Sequence, residues 1–181
     1  MKPDECTLYS GGMAGAEETF GLAAERSGVR EVHFSFEGHD VERTRGLRVL
    51  DPVELRMGDV SLEYVSRLMN RTYRETPLFK LVLQSIWHQV SNASEVFVVG
   101  KILRDGTVKG GTGWGAEFAK LRNKPVFVFD QERDGWFQWR NASWESASDP
   151  VIHESRFCGS GTRYLEENGR EAIDSLFRRT F

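Results

Sequence analysis

One glycine-rich stretch, residues 109–117, has the residue types needed to hold an anion and to do acid–base chemistry. It reads Lys-Gly-Gly-Thr-Gly-Trp-Gly-Ala-Glu and follows, after a short polar segment, the apolar run at residues 96–99. A turn between a strand and a helix presents free backbone N–H groups to an anion. Its glycines permit close approach of the backbone to a ligand. This stretch is therefore the first candidate for a ligand site.

A second turn rich in small residues follows the first predicted strand, where Rossmann-like sheets bind a phosphate. Its glycine spacing differs from the G-x-G-x-x-G dinucleotide fingerprint. One interpretation is a nucleotide or phosphosugar held by backbone amides and hydroxyl groups. The other is that the glycines only permit short connections. The residues of the two turns that would contact a ligand are Ser10, Gly11, Gly12, Gly15, Gly110, Gly111, Thr112 and Gly113.

Two glutamates begin the helices that follow these turns, Glu17 after the first and Glu117 after the second. If the two preceding strands are neighbours, the carboxylates could flank one bound sugar and support cleavage of an N-glycosidic bond. The alternative is that both complement the positive ends of their helices. Acid–base chemistry at Glu117 and a ligand contact at Glu17 are the functional interpretations.

Three further side chains could contact a ligand. Arg71 and Arg74 stand in a break between two predicted helices, where a guanidinium could clamp a phosphate, although both could equally be solvated surface residues. Trp114 lies inside the glycine stretch and would either stack on a base or pack in the core. The four histidines lack metal-ligand spacing, so neither a metal site nor a resident cofactor is predicted.

Alternating strand and helix patterns must position these residues. Most turns between them are short, while residues 38–58 form a long polar loop with a possible edge strand at 47–50. Pairing is also expected near residues 151–153, and a third turn of small residues at 159–163. Strands are predicted at 6–9, 32–36, 95–100, 125–130, 136–139 and 156–158, and helices at 16–27, 61–69, 77–90 and 166–181. The pattern predicts one α/β domain over residues 1–181, with a mostly parallel sheet flanked by helices.

Composition excludes several classes of protein. The formal net charge is -3 in 181 residues, with 28% charged residues, so no field of one sign favours a nucleic acid or a membrane surface as partner. No apolar run approaches the ~18 residues that cross a bilayer, and the amino terminus does not read as a signal peptide. Two cysteines give neither a disulfide framework nor a thiolate metal site. A cytoplasmic protein is expected.

The glycine turns resemble those of a known group of proteins. Residues 110–117 are similar to the P-G-G-x-G-T-x-x-E motif of the LOG-type phosphoribohydrolases, which belong to the SLOG group of Rossmann-like nucleotide-binding proteins. Residues 9–17 resemble the S-G-G-x-x-G-x-[DE] turn of the molybdenum cofactor carrier-like branch. Residues 157–163 resemble the G-[IV]-G-[ST]-R segment of some members. The same group includes DprA-like proteins.

The resemblance implies a Rossmann-like domain, often a dimer, that binds nucleoside phosphates at its glycine turns. Glu117 matches the motif glutamate of the hydrolases. Their upstream arginine has no clean counterpart, and Arg71 or Arg74 would have to replace it. Lys109 stands in place of the motif proline and Trp114 in place of the threonine.

Two functions follow as hypotheses. The first is a metal-independent hydrolase of an N-glycosidic bond, with Glu117 as the acid–base residue. The second is a sensor or cofactor carrier that holds its ligand intact. In both, the partner is a nucleotide, a nucleoside phosphate or an ADP-ribose-like molecule, and the protein is expected to be a homodimer.

Overall fold

In a computed structural model, which describes residues 1–73 and 76–181, the chain forms an eight-stranded sheet with helices on both faces. The strands are β1 Thr7–Ser10, β2 Arg30–Phe36, β3 Leu47–Leu50, β4 Glu95–Gly100, β5 Val126–Asp130, β6 Gly135–Arg140, β7 Ser143–Ser146 and β8 Arg156–Gly161. The helices are α1 Ala16–Ser27, α2 Pro52–Arg56, α3 Asp59–Met69, α4 Pro77–Asn92, α5 Gly110–Leu121 and α6 Glu167–Thr180. The predicted α/β class with a mostly parallel, Rossmann-like sheet is confirmed.

The strand order is β3-β2-β1-β8-β4-β5-β6-β7. Among the described strands, β6 pairs antiparallel with both β5 and β7, and the other neighbouring strands pair in parallel. Strands β1, β2 and β3 follow one another toward one edge of the sheet, and strands β4 to β7 follow one another toward the other edge. β8 then returns to the centre and pairs in parallel with both β1 and β4. The two strands that precede the glycine turns are therefore not neighbours, because the last strand separates them.

This order places the helices on opposite faces. The β1–α1–β2 and β4–α5–β5 units progress in opposite directions, and parallel crossovers are almost always right-handed, so their helices must lie on different sides of the sheet. α1 and α6 pack on the face that carries Phe97 and Val99. α3, α4 and α5 pack on the face that carries Val96 and Val98. Central strands buried on both faces account for the unbroken apolar runs in the sequence.

The third turn of small residues is mostly strand. Gly159 and Gly161 lie within β8 rather than after it. A Cβ on Gly159 would stand 2.5 Å from the Phe20 ring, and one on Gly161 would stand 2.7 Å from the Cβ of Ala16. These glycines therefore allow α1 to pack closely against the strand, and only the segment from Thr162 onward forms the turn.

Two other segments differ from the sequence prediction. Residues 38–58 hold α2 as well as the predicted edge strand β3, because Asp51 accepts hydrogen bonds from the N–H groups of Val53 and Glu54 and thereby caps the helix. The Asp-Pro-Val-Glu spacing carries this capping signal. Residues 151–153 form no strand, and the hairpin partner of β6 is β7 instead. Among the described residues, no helix is long and apolar enough to cross a membrane.

Candidate functional site

A cavity of about 490 Å³ opens where the two halves of the sheet diverge. Its floor comes from the carboxyl ends of β4, β5 and β8, and α1 begins at its edge after β1. A crevice outside the carboxyl ends of strands, at the point where strand order reverses, is the usual ligand position in open α/β sheets. The volume suits a small molecule of nucleotide size.

One wall of the cavity is apolar and comes from α4. Leu78, Phe79, Val82 and Ile86 line it. These side chains repeat at helical spacing, so one stripe of the helix faces the cavity. An apolar wall beside polar backbone could hold a planar, weakly polar group such as a nucleobase.

The charged residues of the cavity are mixed in sign. Lys101 pairs with Glu132. Lys109 and Arg163 also line the cavity, and neither makes an ion pair with any residue in 1–73 or 76–181. Glu166 lines the cavity as well and forms no ion pair within those residues. Apart from the buried Glu17, two cations and one carboxylate therefore remain, and their small positive excess favours an anionic ligand.

The first glycine turn is organised by its own hydrogen bonds. The Ser10 hydroxyl donates to the carbonyl of Gly159 over 2.6 Å and is buried, while the Gly12 carbonyl accepts from the N–H groups of Glu42 and Arg43. Ser10, Gly11, Gly12 and Gly15 do not line the cavity, whereas Met13, Ala14 and Glu17 do.

Glu17 lies buried at the inner edge of the cavity. Its carboxylate accepts hydrogen bonds from the Ser160 hydroxyl over 2.9 Å, from the N–H of Met13 over 3.2 Å and from the N–H of Gly11. Burial raises the pKa of Glu17 to about 7, although these three hydrogen bonds act in the opposite direction. A carboxyl group that titrates near neutral pH inside a cavity can accept or release a proton during a reaction.

The second glycine turn opens directly into the cavity. Gly110, Gly111 and Thr112 line it and form the first turn of α5. Gly110 has a φ of 71°, which favours glycine, and its missing side chain faces open space. The first N–H groups of an α-helix lack intrahelical partners, and no side chain caps this one. Because Gly110–Thr112 line the cavity, these groups lie where a bound anion could accept hydrogen bonds from them.

The remaining residues of that stretch face elsewhere. Gly113 does not line the cavity. It packs against the loop before α5, where a Cβ on Gly113 would stand 2.0 Å from the carbonyl oxygen of Val108. Trp114 is fully buried and meets Tyr73 edge to face, with ring centroids 5.5 Å apart. Trp114 is therefore packed in the core, which is one of the two roles expected from the sequence, and it does not line the cavity.

Glu117 is separated from the cavity. It lies on α5 and pairs with Lys120 over 2.7 Å. The Lys120 ammonium stands 3.7 Å from the ring centroid of Trp139 and 4.7 Å from that of Trp144. Burial lowers the pKa of Lys120. Because Glu117 is the eighth residue of α5, about two turns from the helix end that lines the cavity, Glu17 and Glu117 do not flank a common site.

Of the two arginines, Arg71 serves the loop that precedes α5. Its guanidinium donates to the carbonyl of Val108 over 2.9 Å and to the hydroxyl of Thr107. It supports the second glycine turn from behind and does not line the cavity. Arg74 lies outside the described residues.

Several cavity residues were not identified from the sequence as ligand contacts. The apolar side chains of α4 were assigned only to a helix face, and Ser160 and Arg163 only to a small-residue turn. Lys101 belongs to no recognisable sequence motif. Within residues 1–73 and 76–181, no group of three or more His, Cys, Asp or Glu side chains could hold a metal ion.

Comparison with known proteins places the chain at the level of fold. No protein-family model matches the chain, and no curated protein matches it. One solved structure, named "Putative molybdenum carrier protein" and from Syntrophus aciditrophicus SB, is similar with a TM-score of 0.56 and 15% sequence identity. The match covers 98% of this chain and 96% of that one. At this identity the likeness shows a common fold, in agreement with the resemblance of the glycine turns to Rossmann-like SLOG proteins.

Proposed function

We propose that this protein binds an anionic, nucleotide-like small molecule in the cavity and holds it as a carrier or sensor. The observation that carries the proposal is the position of the uncapped α5 N-terminus directly beside the apolar wall of α4 in one cavity, where a Cβ on Gly111 would stand 3.5 Å from the Phe79 ring. A phosphate would accept hydrogen bonds from the N–H groups at Gly110–Thr112. Its organic part would lie against Phe79 and Val82. Lys109 and Arg163 would contribute charge.

The name of the similar structure supports this choice. A carrier of a molybdenum compound binds a small molecule without having to transform it, and the fold of that protein extends over nearly all of this chain. The cavity here combines an anion site with an apolar wall, which is a combination suited to retention of a ligand with both kinds of surface.

Thr112→Glu tests the anion site. We expect it to weaken binding of nucleoside monophosphates at least tenfold, because a carboxylate at the third position of α5 repels phosphate where the N–H groups would otherwise bind it. An acidic residue in the first helical turn is favourable for the helix itself, so thermal stability should not fall. Isothermal titration calorimetry over a panel of nucleoside phosphates, NAD and ADP-ribose measures the affinity.

Thr112→Val is the matched control, because it removes the hydroxyl without adding charge. It should weaken binding less than Thr112→Glu does. Equal affinity of wild type and Thr112→Glu for the best ligand of the panel would contradict a phosphate site at α5, as would a panel without any ligand.

A second candidate function is hydrolysis of the N-glycosidic bond of the bound molecule, and the position of Glu17 favours it. Glu17 has a pKa near 7 and lines the cavity, so it is better placed than Glu117 to protonate a leaving base or to activate water. This proposal moves the acid–base role from the motif glutamate to the glutamate of the first turn.

Mass spectrometry of incubated ligand distinguishes the two functions. If the protein is a hydrolase, wild type and Glu117→Gln should release free base at comparable rates, while Glu17→Gln should lose at least a hundredfold in rate, the typical contribution of a general acid or base. The two variants make the same chemical change, one at a residue that lines the cavity and one at a residue that does not. Intact ligand recovered from all three proteins would leave the carrier function alone.

A further inference from the structure

Helix α3 carries large apolar side chains on its outer face as well as on its inner face. Leu62, Val65 and Met69 are buried against the core. Val60, Tyr64 and Leu68 point outward and are 83%, 52% and 59% exposed. We call these three residues the α3 ridge. A helix at the surface of a soluble protein normally places polar residues on that side, so the ridge requires another explanation.

The ridge has the geometry of a helix-packing surface. Its members are spaced i, i+4, i+8, the spacing of the side-chain rows that interdigitate when two helices cross at about -50°. Val53 and Met57 stand just before α3 in the chain and are also exposed. Five such side chains expose on the order of several hundred Å² of apolar surface, compared with the roughly 800 Å² that each partner buries in a standard interface.

The charged residues beside the ridge would match the same residues of a second copy related by a two-fold axis. Glu63 and Arg67 form an i,i+4 ion pair of 3.1 Å along one side of it. If a second α3 packs antiparallel with Tyr64 near the two-fold axis, Arg67 of each copy comes close to Glu63 of the other. Four charges then form one network with alternating signs. A two-fold interface requires this kind of self-complementary pattern.

We propose that the α3 ridge is the interface of a two-fold homodimer, in which α3 packs antiparallel against α3 of a second copy. A second copy is the occupant because the chain itself supplies both the matching apolar row and the matching charges. The formal net charge of -3 opposes association of two copies only weakly. The proposal is independent of the ligand in the cavity.

Sedimentation velocity between 1 and 100 µM tests the proposal with wild type and Val60→Glu. The wild type should sediment at twice the 20.6 kDa of one chain. The dissociation constant of the Val60→Glu dimer should be at least tenfold higher than that of the wild-type dimer, because the substitution places two carboxylates in an apolar interface. Val60 is 83% exposed in the single chain, so the variant should still fold and unfold cooperatively, with a thermal midpoint that depends less on protein concentration than that of the wild type. A wild type that stays monomeric at 100 µM overturns the proposal.

Further variants locate the interface. Tyr164→Glu introduces the same charge at an exposed aromatic residue beside the cavity, and it should leave the dimer intact. Arg67→Glu should weaken the dimer by creating like charges across the axis, and Glu63→Arg combined with Arg67→Glu should restore it. A dimer that Val60→Glu and Arg67→Glu leave unchanged would place the interface elsewhere and refute the role of α3.

Discussion

Replacing Arg43 with methionine should lower the free energy of unfolding by about 3–5 kcal/mol, because it leaves a buried carboxylate without its main cation. The carboxylate of Glu31 on β2 is almost fully buried. Arg43 donates to both of its oxygens, through Nε to Oε2 and through Nη2 to Oε1 over 2.7 Å. The same Nη2 also reaches Glu25 over 2.7 Å. His33 then adds a fourth contact to the network, with its Nε2 2.9 Å from Glu31.

The pair holds the first glycine turn in place. The backbone N–H of Arg43 donates to the carbonyl of Gly12 over 3.0 Å, so the guanidinium anchors the loop after β2 against the turn after β1. Its bonds to Glu31 raise the pKa of Arg43 further above its ordinary value, and it is therefore charged at every pH at which the protein folds. Loss of this anchor should loosen the turn as well as destabilise the fold.

Urea unfolding of wild type and variants measures the effect. Arg45→Met is the matched control, because Arg45 also contacts Glu31 and Glu25 but is half exposed, and its loss should cost less than about 1 kcal/mol. The double variant Glu31→Gln/Arg43→Met should recover more than half of the loss, since it removes the unpaired charge. Equal losses of unfolding free energy for Arg43→Met and Arg45→Met would show that the buried ion pair contributes no more to stability than the half-exposed one.

Glu17→Gln should change how stability depends on pH. The pKa of Glu17 is raised from 4.5 to about 7 by burial. Between these two values the folded state therefore binds more protons than the unfolded state, and the free energy of unfolding falls as pH rises. The contribution is fully present below pH 4.5 and is lost above pH 7. Its size is on the order of 3 kcal/mol, since each pKa unit corresponds to ~1.4 kcal/mol.

Glutamine mimics the neutral acid at this position. A protonated Glu17 would donate to the Ser160 hydroxyl and still accept from the N–H groups of Met13 and Gly11. A glutamine amide can make the same set of bonds and does not titrate. We therefore expect Glu17→Gln to be close to wild type at low pH and more stable than wild type by on the order of 3 kcal/mol above pH 7.

Urea unfolding at closely spaced pH values from 4.5 to 8.5 gives the difference in free energy between the two proteins. Using the difference is essential, because burial also raises the pKa of Glu95 and adds a contribution of the same sign to both proteins. Parallel stability curves for wild type and Glu17→Gln would contradict the assignment of the titration to Glu17.

Much of the fold could be read from the sequence because local patterns determine its elements. α1 occupies the predicted residues 16–27, and Gly28 ends it in the left-handed conformation that favours glycine. β4 and β5 are fully buried strands, and their continuous apolar runs indicate this without any knowledge of their neighbours. The glycine stretch at 109–117 was predicted as a turn with Glu117 near the start of the next helix, but α5 begins at Gly110 and most of the stretch is helical. Its first residues, Gly110–Thr112, line the cavity.

The chemistry of the site depended on features that local patterns do not contain. Glu17 and Glu117 end stretches of similar sequence, but α1 begins only at Ala16 whereas α5 already begins at Gly110. Glu17 therefore lies in the first turn of its helix, and Glu117 lies about two turns into its own. β8, the last strand in the chain, pairs between β1 and β4, and this order places α1 and α5 on opposite faces. Strand order and crossover direction result from burial of the whole sheet. Together they place the start of α1, with Glu17, beside the strand ends that line the cavity. The ion pair of Glu117 with Lys120, by contrast, is a local i,i+3 contact within α5.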